Sequence, residues 1–356
     1  MTPSGAGVLQ VEPTDHCNLS CRMCAPHHEG WATVHGVPKG FLDVGLWERI
    51  VEGLVADDLR FDHIIFQWLG DPSLHPRLGE LVGLAARRLR DRVGYLRIDT
   101  NGILLTPARI DALLDGLGEG GPPLLVVFTI DAHTAPTYAA VKGQDALDRV
   151  RRHVRHLLGA RRRRGGVNVA VQFVVQPGNA QEAGAFVDYW QDAFACRGGG
   201  FADEVQLKRL SVGGGAAGQA AADRLYEETV APLRGRDRGA ARLLLWEQRP
   251  WQEDDGHRGA RTACPGLWYT PVIRHDGALL LCCADLRSEM ALGSLREQGF
   301  RALWEGEAAV RKRLEHLEGR FAGVCAACGG INWYTLDPAQ IAATRAQALR
   351  LHQAGS

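Results

Sequence analysis

The sequence predicts an α/β protein with parallel strands, on three observations. Strand-like and helix-like segments alternate through residues 1–212, six strand–helix repeats occur there, and a short polar segment follows each strand. Strands separated by helices pair in parallel through right-handed crossovers. Six units are two short of a closed (β/α)8 barrel, so the pattern fits an incomplete barrel or a doubly wound open sheet. In both, ligands sit beyond the carboxyl ends of the strands.

"GVLQVEP" (7–13) is the first strand, and a cysteine-rich loop follows it. "LWERIVEGLVAD" (46–57) is helical, with Leu46, Ile50, Val51 and Leu54 near one face. "FDHIIFQW" (61–68) reads as a buried strand and "RLGELVGLAARRLR" (77–90) as a helix. "YLRIDT" (95–100), "LLVVFTID" (124–131), "VNVAVQFVVQ" (167–176) and "EVQLKRLSV" (204–212) continue the strands. Helical patterns over 106–117, 146–160 and 180–195 lie between them. Thr106 is the expected N-cap of the 106–117 helix, and Pro107 suits its first turn. "RRRR" (161–164) reads as a solvated loop. "SVGGGAAGQAA" (211–221) reads as a flexible junction where the repeat lapses.

With 356 residues, 46% of them hydrophobic, the chain can bury a large core. Lys+Arg and Asp+Glu are both 41, so no net field favours nucleic acid or an anionic membrane. No apolar run approaches the ~20 residues needed to span a bilayer. The start, "MTPSGAGVLQ", lacks a basic segment followed by an apolar one, so a cytoplasmic protein is expected. There its nine cysteines would stay reduced, and clustered thiols point to metal or catalysis before disulfides.

The cysteines fall into two groups. Cys17, Cys21 and Cys24 lie in "DHCNLSCRMC" (15–24), directly after the first strand. Closed thiolate sites use four ligands. Cys264, Cys282, Cys325 and Cys328 could form such a set, joined by a hairpin with an Asp-Gly turn in "RHDGALLL". Cys283 is then left over, on the other side of its strand, and isolated Cys196 reads as a small buried hydrophobe. The N-terminal trio need not borrow a ligand, which makes it an open site. A 4Fe-4S cube on three cysteines leaves one iron free to bind something else. A structural zinc ribbon remains the alternative for the C-terminal set.

"CNLSCRMC" resembles the cluster-binding loop of the radical SAM superfamily, in that family's usual place. "LGDPSLHP" (69–76) resembles its glycine–acid–proline motif, and "TNG" (100–102) and residues 128–150 resemble segments of its later strands. "CPGLWYTPVIRHDGALLLCC" together with "CAAC" is similar to the auxiliary-cluster module of its SPASM/twitch branch. The resemblance implies a partial (β/α)6 TIM barrel over 1–212 and a linker or substrate-proximal insertion over 213–256. A small twitch/SPASM-like auxiliary 4Fe-4S cluster domain over 257–335 and a C-terminal helix over 336–356 would follow. It implies two 4Fe-4S clusters, on the two cysteine groups, and S-adenosyl-L-methionine. Gly70 and Asp71 would receive the methionine amino group. Asn101, Thr129 and Asp131 would serve its carboxylate and ribose, and Gln172 and Gln176 would lie near the adenine. Met23 stands where the family often has an aromatic, and Asp71 where it often has Glu.

The first strand begins near residue 8, and no peptide-recognition domain fits around it, so a small substrate is expected. The chain further resembles dehydrogenases of aminocyclitol-antibiotic pathways of the butirosin, spectinomycin and hygromycin type. "APHHEGW" and "VHGVPKGF" add to that likeness. This implies oxidation of a secondary alcohol of an aminocyclitol or sugar-derived intermediate to a ketone. The auxiliary cluster would accept one electron, and a flavodoxin or ferredoxin would supply the other cluster. A base must sit by the alcohol. Lys208 and Arg209, at the rim of the sixth strand, are the candidates, and strand alternation turns only one of them inward. His27, His28, Glu29 and His133 are rivals, His133 reading as a local hydrogen-bonding group. Trp31, Trp268 and Tyr269 could stack on a sugar ring or pack in the core. Competing readings are an epimerase or decarboxylase with Cys283 or Cys196 as hydrogen donor, a ribosomal-peptide maturase, and a zinc scaffold.

Overall fold

The computed structural model describes all residues except 1–6, 25–37, 164, 195–201, 212–215, 237–240, 247–261, 329, 331–333 and 355–356. Seven strands follow one another in space as they do in sequence: β1 (Val8–Val11), β2 (Phe61–Phe66), β3 (Val93–Thr100), β4 (Leu124–Thr129), β5 (Val167–Val175), β6 (Asp203–Arg209) and β7 (Ala241–Leu245). Each is parallel to the next. On the far side of β1 lies β8 (Val272–Ile273), also parallel, followed by the antiparallel β9 (Ala278–Leu280) and β10 (Ala291–Ser294). The sheet therefore has ten strands and does not close: β1 and β7 do not pair. This is the incomplete barrel, with β7 and β8 added to the expected six parallel strands among the described residues.

The outer faces of the strands carry the apolar residues, because helices cover them. On β5, Val169, Val171, Phe173 and Val175 are fully buried in the main core, while Asn168, Ala170 and Gln172 face the other way. Helices α1 (Val44–Ala56), α2 (Leu78–Arg88), α3 (Pro107–Leu117), α4 (Ala135–Lys142), α5 (Leu147–Ala160) and α6 (Ala183–Ala193) fill the crossovers. Asp43 caps α1, its Oδ1 accepting from the Leu46 N–H at 2.8 Å. Thr106 takes the N-cap position of α3 but makes no side-chain capping bond. Helices α2 and α3 pack through glycines: a Cβ on Gly83 would stand 2.3 Å from the Gly116 carbonyl oxygen.

Two expectations are corrected. The 211–221 segment is not simply a flexible junction, since α7 (Ala216–Val230) begins within it. Tyr226 and Val230 are fully buried, and the Tyr226 hydroxyl donates to the Leu207 carbonyl at 3.1 Å. Residues 213–256 thus hold a further helix–strand unit that extends the barrel. "RRRR" is not wholly solvated either. Arg161 is 3% exposed and grips Asp203 through two bonds of 2.6 Å. Asp203 opens β6 and also accepts from Val169 N–H, so the arginine neutralises a buried carboxylate between β5 and β6.

The C-terminal part adds α8 (Gly266–Tyr269), α9 (Phe300–Trp304), α10 (Glu307–Leu317), α11 (Val324–Ala327) and α12 (Pro338–Ala354). It joins the barrel through β8 and through a buried pair. Glu12, at the end of β1, accepts from His275 Nδ1 at 3.0 Å. Burial alone would lower the His275 pKa, but the Glu12 hydrogen bond and charge outweigh it and raise the value. No helix among the described residues is long and apolar enough to cross a membrane.

Candidate active site

The loop after β1 carries Cys17, Cys21 and Cys24, and the next strand ends clamp it. Thr14 Oγ1 donates to the Gly40 carbonyl at 2.6 Å, and Gly40 N–H donates to Asp15 Oδ1 at 2.9 Å. Gly70 lies against the loop backbone. A Cβ there would stand 2.3 Å from the Thr14 oxygen and 2.5 Å from the His16 oxygen, so only glycine fits. Asn101 Nδ2 donates to Asn18 Oδ1 at 2.9 Å and comes within 4.0 Å of Cys17 Sγ.

The acids at this rim already have protein partners. The Asp71 carboxylate accepts from Ser73 N–H at 2.9 Å, Thr100 Oγ1 at 2.9 Å and Asn101 N–H at 2.6 Å, and from the Ser73 hydroxyl. It ties the end of β2 to the end of β3, so a methionine amino group would compete with four protein donors for it. Asp131 is fully buried, with a left-handed backbone at φ 59°. One of its oxygens holds Lys142 and the other accepts from Val174 N–H at 2.6 Å. Burial would depress the Lys142 pKa, but the Asp131 charge more than reverses this and raises it. Asp131 therefore locks α4 to β5. Thr129 is half-buried, its hydroxyl directed at the Thr100 carbonyl at 3.4 Å. Gln172 pairs in register with Thr129, and its buried Oε1 has no partner among the described residues. Gln176 Nε2 reaches Met23 Sδ at 3.5 Å, so the methionine fills the place of the usual aromatic.

Inside the barrel is a cavity of about 760 Å³, lined by the inward rows of the strands. It runs from His63 and Tyr95, stacked at 4.4 Å, up to Trp68, Lys208, Trp246 and Cys283. Burial, with the Arg97 charge, pushes His63 down to about 4, so it is neutral at pH 7. Arg97 and Asp99 of β3 form a bidentate pair at 2.6 and 2.7 Å. The two expected base candidates separate cleanly. Lys208 lines the cavity, its Nζ 4.5 Å from the Trp246 ring centroid. Burial lowers its pKa to about 8. Arg209 faces outward, ion-paired with Asp223 at 3.0 Å and with Glu227, its guanidinium 4.7 Å over Tyr226. Its assignment as a base is corrected: α7 holds it on the outside of the barrel.

Cys264, Cys282, Cys325 and Cys328 line one small pocket in the C-terminal part. Sulfur acceptors there meet backbone donors, Ala284 N–H to Cys282 at 3.5 Å and Gly330 N–H to Cys328 at 3.3 Å. Cys283, the next residue, borders the barrel cavity as well: its carbonyl accepts from Trp68 Nε1 at 3.0 Å, and its thiol meets that of Cys282. Trp268 and Tyr269 are core residues: Trp268 Nε1 donates to Thr344 Oγ1 at 3.0 Å, and Tyr269 packs on Tyr334 at 5.0 Å. The His133 ring meets Tyr189 of α6 edge-on at 5.7 Å, and its buried Nδ1 has no hydrogen-bond partner among the described residues. His27, His28, Glu29, Trp31 and Cys196 lie outside the described residues.

Residues 11–183 match the model of the radical SAM superfamily, and residues 264–329 match an iron-sulfur cluster-binding domain, SPASM. The chain therefore belongs to the radical SAM superfamily, in its SPASM/twitch branch. Among curated proteins it is 35% identical over 126 residues to the tungsten-containing aldehyde ferredoxin oxidoreductase cofactor-modifying protein of Pyrococcus furiosus, covering 35% of this chain and 30% of that one. A GTP 3′,8-cyclase of Synechococcus is 33% identical over 103 residues, covering 29% of this chain and 27% of the relative. The chain thus spans about a third of the length of these relatives. Among solved structures, native anSMEcpe with bound AdoMet superposes at a TM-score of 0.60 with 14% identity, over 96% of both chains. At that identity the likeness shows the fold alone.

A radical SAM domain takes a 4Fe-4S cluster and S-adenosylmethionine, and a SPASM domain takes further iron–sulfur. The donor sets fit. Burial, with the Asp71 charge, pushes Cys17 up to about 12, and burial with Cys21 pushes Cys24 up to about 11. Three such thiolates, crowded together, need a cationic group between them, and ferric and ferrous ions supply it. Burial likewise pushes Cys325 to about 11, and the N–H···S bonds at the second pocket are of the kind that tune cluster potentials.

Proposed function

We propose that the chain oxidises a secondary alcohol of an aminocyclitol or sugar-derived antibiotic intermediate to a ketone. Cys17, Cys21 and Cys24 would hold the first cluster, beside S-adenosylmethionine at the rim of β2–β5. Cys264, Cys282, Cys325 and Cys328 would hold the second. When bound, these groups supply a 5′-deoxyadenosyl radical that removes the carbinol hydrogen and an acceptor for the electron left behind. Lys208, in its neutral form, takes the hydroxyl proton. Its pKa, lowered by burial to about 8, suits a general base near neutral pH. Trp68 and Trp246 shield the cavity from water. A flavodoxin or ferredoxin would reduce the first cluster.

The observation that carries this reading is the Cys282–Cys283 step. Cys282 lines the four-thiol pocket, and Cys283, whose thiol meets that of Cys282, borders the barrel cavity, so an electron acceptor in the pocket would sit one residue from the substrate. Iron and sulfide measured after anaerobic reconstitution test it, alongside trapping of a ketone from an aminocyclitol. About eight irons should fall to about four in the Cys17/Cys21/Cys24→Ala variant. About four falling to none would remove the electron acceptor and sink the dehydrogenase. A second reading, an epimerase, is favoured by Cys283 itself, which borders the cavity with its thiol against Cys282 and would be the hydrogen-atom donor. Cys283→Ala separates them: it should arrest an epimerase and spare a dehydrogenase.

A further inference from the structure

On β6 three polar side chains stand on alternate positions, Glu204, Gln206 and Lys208, and all three line the cavity. Gln206 is 1% exposed. Its Nε2 donates to Glu204 Oε2 at 2.7 Å, which fixes the amide orientation and turns Oε1 away from the carboxylate. That oxygen is buried with no partner among the described residues. A buried acceptor left unpaired costs about 1–3 kcal/mol, so the site is built for a donor that arrives from outside.

The local charge says which donor. Arg97 and Asp99 neutralise each other across the cavity. Among the described residues the ion-pair partner of Glu204 is the exposed Arg242, at 4.0 Å, and the Arg97 charge, already held by Asp99, also feels it. An unpaired amide oxygen beside a carboxylate attracts an ammonium group over a neutral hydroxyl. We infer that Glu204 and Gln206 form a subsite for an amino group of the substrate, one step along β6 from Lys208. The inference rests on the reading above in taking this cavity as the substrate site. Residues i and i+2 of a strand lie about 6.6 Å apart, within the reach of substituents on one six-membered ring. The bound ammonium would also push Lys208 further toward its neutral form, because like charges disfavour each other. The amino group thus selects the substrate and readies the base.

Calorimetric binding to the reconstituted holoenzyme tests this, with 2-deoxystreptamine, a diaminocyclitol, and 2-deoxy-scyllo-inositol, its amine-free counterpart. Wild type should bind the diamine at least about tenfold tighter than the inositol. Gln206→Met and Glu204→Gln should each lose about tenfold for the diamine and leave the inositol unchanged, with wild-type iron content and circular dichroism. Equal affinity for both ligands, no binding of either, or an unaffected Gln206→Met would overturn the subsite. A diamine bound as expected but never oxidised would leave the subsite standing and overturn the reaction. A ketone formed by a Gln206→Met enzyme with undiminished affinity would do the reverse.

Discussion

Two lysines in the barrel show how its two sides differ. Lys142 lies at the end of α4, its ammonium held by Asp131, and its pKa is raised. Lys208 lies on β6 with a tryptophan ring for company, and its pKa is lowered to about 8. The first stays a cation and fastens two elements together. The second can lose its proton near neutral pH. The same contrast runs through their surroundings. On the β2–β4 rim, Asp71, Thr100 and Asp131 satisfy one another or the backbone. On the β5–β7 wall, Gln172 Oε1, Gln206 Oε1 and Trp246 Nε1 are buried without partners among the described residues. A saturated rim holds a fixed loop in shape, and an unsaturated wall is prepared for something that comes and goes.

Lys208→Met should test the contrast most severely. The rate of ketone formation should drop by about 10²–10⁴, the usual worth of a general base, while iron content and diamine binding persist. In wild type the rate should climb with pH through about 8, because the neutral amine is the active form, and level off above it. A flat profile, or a variant as fast as wild type, would remove Lys208 from the chemistry.

Asp131→Asn should act on stability. It leaves the Lys142 ammonium buried without its counter-charge, and such a break costs about 3–5 kcal/mol. A urea midpoint unchanged from wild type would show that the pair does not fasten α4 to β5. Arg209→Met should have the smallest effect. Its carboxylate partners sit on α7 outside the barrel, so a loss of about 1–2 kcal/mol in denaturant is expected, with ketone formation preserved. A large loss of activity at full stability would return Arg209 to the list of reacting groups.

The barrel was legible because its strands are covered on the outer face and separated by amphipathic helices, a pattern that survives without any coordinates. The pattern lapsed where Gly and Ala are dense. Those residues read as a joint, and α7 forms there because Tyr226 and Val230 find a place against β5 and β6. The β6 wall could have been read more fully. Polar residues at 204, 206 and 208, in a strand of an otherwise covered sheet, already mark an inner row. Tyr95, Arg97 and Asp99 repeat that signal on β3.

By itself the sequence determined the two cysteine groups, the strand order that delivers the first to the carboxyl ends, and the family. These depend on spacing and periodicity, which are properties of the linear chain. Only the tertiary structure decided that Lys208 faces in and Arg209 out. It alone decided that Asp71 and Asp131 tie neighbouring elements together, and that Cys283 borders the barrel cavity while its thiol meets Cys282. Whether a polar group is free to react depends on which partners from distant segments already saturate it, and no local pattern records that.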